Sequence, residues 1–92
     1  MKIVKKFKII GIRPPVDVTE TFRKKELIFE DLEDKLKLSV NLIQTSNIDT
    51  IAMFRGYGLS DEIEVELKIY SRKAKGGDRW FTNVNVVEII EE

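Results

Sequence analysis

Two stretches of alternation constrain this chain more than any other feature. From Lys35 to Ile43, Leu36, Leu38, Val40 and Leu42 fall at every second position, with Lys37, Ser39 and Asn41 between them. From Asp61 to Ser71, Ile63, Val65, Leu67 and Ile69 alternate with Glu62, Glu64, Glu66 and Lys68. A period of two sends one set to a buried face and the other to water, which describes a half-buried antiparallel strand and not a helix.

The rest of the chain reads around these two strands. Lys2 to Ile12 interleaves lysines with Ile3, Phe7 and Ile9, and its alternation slips where Ile9 and Ile10 adjoin. That slip predicts a β-bulge near Gly11. Arg13-Pro14-Pro15-Val16-Asp17 predicts a loop of about eight residues, because two prolines remove ladder donors and fix φ. Phe22 to Glu30 predicts another strand, and Glu30 to Asp34 a polar turn. Ser46, with Asp49 three residues on, predicts the cap of a short helix carrying Ile48, Ile51, Ala52 and Phe54, stopped by Gly56 or Gly58. Lys75-Gly76-Gly77-Asp78 predicts a hairpin tip, and Arg79 to Ile90 the closing strand. Within that strand Trp80 and Phe81 point to opposite faces, so at most one of them belongs in the core.

The resulting order is strand, strand, strand, short helix, strand, strand. It predicts an all-β domain with one short helix over residues 1–92, built as a five-stranded OB-fold Greek-key barrel. An SH3-like barrel or an open five-stranded α+β sheet would share parts of this order.

Composition narrows the chemistry. With no cysteine there is no disulfide or thiolate site, and with no histidine the usual acid–base group and zinc ligand are missing. The expectation is a binding protein, not an enzyme, with no metal and no cofactor. The carboxylates Glu62, Glu64 and Glu66 share a strand face and read as solvation, and Lys75-Gly76-Gly77 lacks the spacing of a phosphate-binding loop. No apolar run approaches the roughly 20 residues of a membrane helix, and the lysine-rich start is unlike a secretory leader. The expected setting is cytoplasmic, without membrane contact.

The formal net charge is zero, from 16 basic and 16 acidic residues, yet the charge is segregated along the chain. Arg13, Arg23, Lys24 and Lys25 border the first loop, and Arg72, Lys73, Lys75 and Arg79 border the last hairpin. In an OB barrel those two elements flank one groove. Phe22, Tyr70, Trp80 and Phe81 sit at their ends, so cations for phosphates and ring faces for bases would converge there. These twelve residues form the predicted site, with single-stranded nucleic acid as its ligand.

Two blocks also resemble a known family. Phe22-Arg23-Lys24-Lys25-Glu26-Leu27-Ile28-Phe29-Glu30 is similar to the second-strand motif W-R-K-Q-E-F-V-L-E of a short OB-like family of bacteria and their phages. That family is a domain of unknown function that resembles single-stranded-DNA-binding proteins. Ser71-Arg72 followed by Gly77-Asp78-Arg79-Trp80-Phe81-Thr82-Asn83-Val84 resembles its S-R-x-x-x-G-R-W-Y-T-D-V block. The resemblance implies an OB fold, binding of single-stranded DNA, and a role in replication, recombination or repair in a bacterial cytoplasm or phage-infected host. Phe22 stands where the family has tryptophan, Phe81 where it has tyrosine, and Asn85 at a position often basic. Glu88, Glu91 and Glu92 are too few for the acidic recruiting tail of such proteins. RNA in place of DNA, a protein-interaction module on the same scaffold, and a homo-oligomer joined through an open edge strand are the alternatives carried forward.

Overall fold

The computed structural model describes residues 1–90; Glu91 and Glu92 of the acidic end lie outside the described residues. Six strands form one sheet: β1 (Lys2–Ile12), β2 (Val16–Thr19), β3 (Phe22–Asp31), β4 (Lys37–Gln44), β5 (Glu62–Lys73) and β6 (Trp80–Ile90), with one short helix, α1 (Thr50–Met53), between β4 and β5. The strand order is β1-β5-β6-β4-β3-β2, and β1 also pairs with β3. The pairings therefore run from β1 through β5, β6, β4 and β3 back to β1.

The strand β1 serves two neighbours in succession. Its first part, Lys2 to Lys8, pairs antiparallel with β5, and Phe7 to Ile12 pairs antiparallel with β3. The register shifts between Ile9 and Gly11, at the bulge that the broken alternation predicts. Only glycine fits at position 11, because a Cβ there would stand 2.8 Å from Ile28 Cγ1. The carboxylates of β5 face a matching ladder, with Glu62 opposite Lys8 and Glu64 opposite Lys6.

Alternation delivers the core. Phe7 and Ile9 of β1, Leu27 and Phe29 of β3, Val40 and Leu42 of β4, Ile63, Val65 and Leu67 of β5, and Val86 of β6 are buried together with Phe54. Phe29 is fully covered; its ring stacks on Phe7 at 5.3 Å between centroids and meets Phe54 at 6.3 Å.

Three expectations change, and the limit of at most one core residue among Trp80 and Phe81 holds with neither buried. The strand count is six, not five: Pro14 and Pro15 end β1, but Val16–Thr19 then folds back on β3 as an edge strand, since prolines forbid pairing only at their own positions. The next strand begins at Lys37 instead of Lys35. Lys35 adopts φ +63 in the preceding turn, and Leu36 is left exposed instead of joining the apolar face. The helix is capped by Asp49, which accepts the Ala52 N–H at 2.9 Å. Ser46 is not its cap, because the Thr45 hydroxyl has already turned the chain by accepting the N–H groups of Asn47 and Ile48. Trp80 and Phe81 are both exposed, at 64% and 53%, because the last fully buried residues of their hairpin are Leu67 and Val86 and its outer half runs beyond the core.

Asp31, read from sequence as part of a polar turn, ends β3 and is buried. Its carboxylate accepts the Glu33 N–H at 2.9 Å and pairs with the Lys5 ammonium. The Lys5 hydrogen bond, then the Glu33 N–H, hold the Asp31 carboxyl below its ordinary value of 3.8; the same bond raises Lys5 above 10.5. A depressed acid stabilises the fold above its unfolded pKa and loses that contribution as pH falls through the folded one. A raised lysine does the reverse, losing it as pH climbs through its folded value. Thermal melts should therefore be level across neutral pH and decline below about pH 4 and above about pH 10. Asp31→Asn should melt lower at pH 7 and show a shallower acid decline, as followed by circular dichroism.

Candidate functional site

A concavity of about 290 Å³ opens on the outer face of the sheet. Val18 and Phe22 come to it from the β2–β3 hairpin, Lys24 from β3, Asn41 and Ile43 from β4, Tyr70 and Arg72 from β5, and Asn83 and Asn85 from β6. Cross-strand register explains the grouping. Lys24 lies opposite Ile43, Tyr70 opposite Asn83, Arg72 opposite Phe81, and Asn41 beside Asn85 in the parallel β4–β6 pairing. Alternation adds Phe81 to the face that carries Asn83 and Asn85.

A short amide chain orients the floor. The Asn41 side-chain N–H₂ donates to Asn85 Oδ1 at 3.4 Å, and the Asn85 N–H₂ donates to the Tyr70 hydroxyl at 3.3 Å. Tyr70 is thereby held by its polar tip with its ring left uncovered. The described ring contacts all belong to Phe7, Phe29, Phe54 and Tyr57, so Phe22, Tyr70, Trp80 and Phe81 stack on no other ring among the described residues. Lys24 and Arg72 make no ion pair among the described residues. The arrangement offers two uncommitted cations, three ring faces and three side-chain amides on one open surface.

The twelve predicted residues divide. Phe22, Lys24, Tyr70 and Arg72 line the concavity, one pair from each basic stretch, and Phe81 extends its face. Arg23 and Lys25 alternate to the opposite face of β3. Arg23 is bound there by Asp17 at 2.9 Å and, with Phe22, lines a separate recess toward Thr45. Arg13 lies 3.5 Å from the Glu26 carboxylate, so its charge is partly answered. Trp80 pairs with Lys73 and turns away from the Phe81 face, while Lys75 and Arg79 flank the hairpin turn.

Sequence reasoning missed Val18, Ile43, Asn83 and, as partners of Tyr70, Asn41 and Asn85. Val18 was hidden by the loop reading of its segment. The asparagines carried a signal, since Phe81, Asn83 and Asn85 alternate with the inward Val84 and Val86. Their link to Asn41 needs a parallel pairing between strands 44 residues apart.

Among the described residues no helix is long and apolar enough to cross a membrane, and no group of three or more Asp or Glu converges as a metal site. No curated protein and no solved structure matches this chain. One family does, over residues 6–90, and it is described only as a domain of unknown function. With nearly its whole length matched, the chain belongs to that family, DUF3127.

Proposed function

We propose that this chain is an OB-type barrel that binds single-stranded DNA, without catalysis, on the face formed by Phe22, Lys24, Tyr70, Arg72 and Phe81. The barrel reading is supported by the circuit of pairings from β1 through β5, β6, β4 and β3 back to β1, with β2 as an extension of the first hairpin. A five-stranded Greek-key barrel has that connectivity. The ligand reading is carried by one observation: Lys24 and Arg72, from opposite ends of the sequence, meet on an open face beside the half-buried ring of Phe22 and the exposed ring of Tyr70. Ring faces accept any base at about 1–3 kcal/mol per stacked base, and the cations answer the phosphates between them. The amides of Asn41, Asn83 and Asn85 supply hydrogen bonds to base edges without demanding one sequence. Such a domain suits a role in DNA replication, recombination or repair.

Fluorescence anisotropy of labelled oligo-dT tests this, since Trp80 faces away from the groove. Affinity should fall as salt rises, with a log–log slope of about −0.7 for each phosphate neutralised, and duplex DNA should bind more weakly. Equal affinity for oligo-U would widen the ligand to RNA. No binding of either oligomer at low salt would overturn the proposal.

A further inference from the structure

The floor of the groove continues past Asn85. Residues directly opposite in paired strands share a face, so register carries the floor onward. Asn41 lies beside Asn85, Asn85 opposite Lys68 on β5, and Lys68 opposite Lys2 on β1. Lys68 also shares its strand face with Tyr70 and Arg72, which line the concavity. Both lysines are exposed, and neither makes an ion pair among the described residues. Their pairing departs from the rest of its own ladder. Further along β1 and β5, Lys6 meets Glu64 and Lys8 meets Glu62, whereas Lys2 meets a second cation. Like charges directly opposite destabilise a sheet, and this mismatch stands at the end of the ladder nearest the groove. The neighbouring row has the other sign. The extra residue Val87 at the bulge in β6 sets Glu88 opposite Glu66, so two carboxylates face each other next to the two lysines.

We infer that Lys68 and Lys2 extend the nucleic-acid track out of the groove, across β5 and onto β1, by contacting further phosphates of the same single strand. The inference rests on the proposed DNA reading and gives that ligand a path. Arg72, Tyr70 and Lys68 occupy successive outward positions of β5, so a strand seated between Lys24 and Arg72 meets Lys68 next. Phosphates set against the two ammonium groups, whose strands lie about 4.8 Å apart, offset their mutual repulsion. Glu66 and Glu88 repel the same backbone, which closes the track along β5 and turns it sideways toward β1. The free protein thus carries a local charge mismatch that a bound polyanion removes.

Two single variants, Lys68→Gln and Lys8→Gln, test this by oligo-dT anisotropy, because each removes one positive charge from the same ladder. Lys68→Gln should weaken binding about threefold or more at low salt and make the salt slope shallower by about 0.7, one phosphate's worth. Lys2→Gln should act in the same direction. Lys8→Gln, answered by Glu62 and beyond the acidic row, should leave affinity within about twofold of wild type. Urea denaturation without DNA gives a second readout. Lys68→Gln should unfold at no lower urea than wild type, since it removes a like-charge pair, while Lys8→Gln should unfold at slightly lower urea. Equal effects of Lys68→Gln and Lys8→Gln on affinity would overturn the inference, as would a Lys68→Gln chain that loses as much stability as Lys8→Gln. Wild-type affinity in Lys68→Gln would overturn it too and leave the groove proposal standing. Failure of the wild-type chain to bind any oligo-dT would overturn both.

Discussion

Phe29→Ala should cost about 3–5 kcal/mol of stability, the largest loss expected from a single substitution in this chain. Phe29 is fully buried at the centre of an aromatic stack, between Phe7 on β1 and Phe54 after α1. Removing its ring leaves a void that a sheet held on both sides by β1 and β4 has little freedom to close. It also separates the bulged end of β1 from the helix that follows β4. A domain of this size has total stability of only about 5–15 kcal/mol, so the variant should unfold at far lower urea, or fail to fold at 37 °C. Equilibrium urea denaturation followed by circular dichroism measures the difference directly.

The second large effect is on binding. Lys24→Ala combined with Arg72→Ala should lower affinity for oligo-dT by more than tenfold at moderate salt and make the salt slope shallower by about 1.4, two phosphates' worth. Tyr70→Ala should weaken binding by about 1–3 kcal/mol with the slope unchanged, because a ring contributes stacking and releases no counterions. Arg23→Ala is the contrast. Arg23 belongs to the same basic run, but it faces away from the groove and is already held by Asp17, so its loss should change affinity by no more than about 0.5 kcal/mol. A simple dependence on the number of basic residues would make Arg23 and Lys24 equivalent. The geometry makes them unequal.

That inequality marks how far the sequence could be read. Strand faces were legible where the alternation lies inside a strand: Ile63, Val65 and Leu67 are buried, and Glu62 and Glu64 stand opposite lysines, whereas Leu36 falls in the turn before β4 and is exposed. The bulge at Gly11 was legible because alternation breaks there. The strand β2 was not, since its prolines dominate the local signal while its pairing comes from β3. Asp31 was illegible for a similar reason: a carboxylate in an acidic run looks solvated until Lys5, distant in sequence on the neighbouring strand β1, is brought to it. The convergence of the two basic stretches was legible in outline through the strand order. Which member of each stretch faces the groove was set by register, and the amide chain from Asn41 through Asn85 to Tyr70 only by a parallel contact no local pattern encodes. Trp80 was assigned to the site because of its type and neighbourhood, and its face turns it elsewhere.

Belonging to DUF3127 relates the chain to a family without supplying a ligand, so the groove has to be tested on its own chemistry. Amide chemical-shift mapping with oligo-dT does this most directly, since it reports both whether a strand binds and where. A binding groove on this face predicts shifts concentrated at Phe22, Lys24, Tyr70, Arg72, Asn83 and Asn85, with the ladder of Lys6, Lys8, Glu62 and Glu64 unmoved. Absence of any shift at low salt, or shifts confined to that ladder, would contradict it.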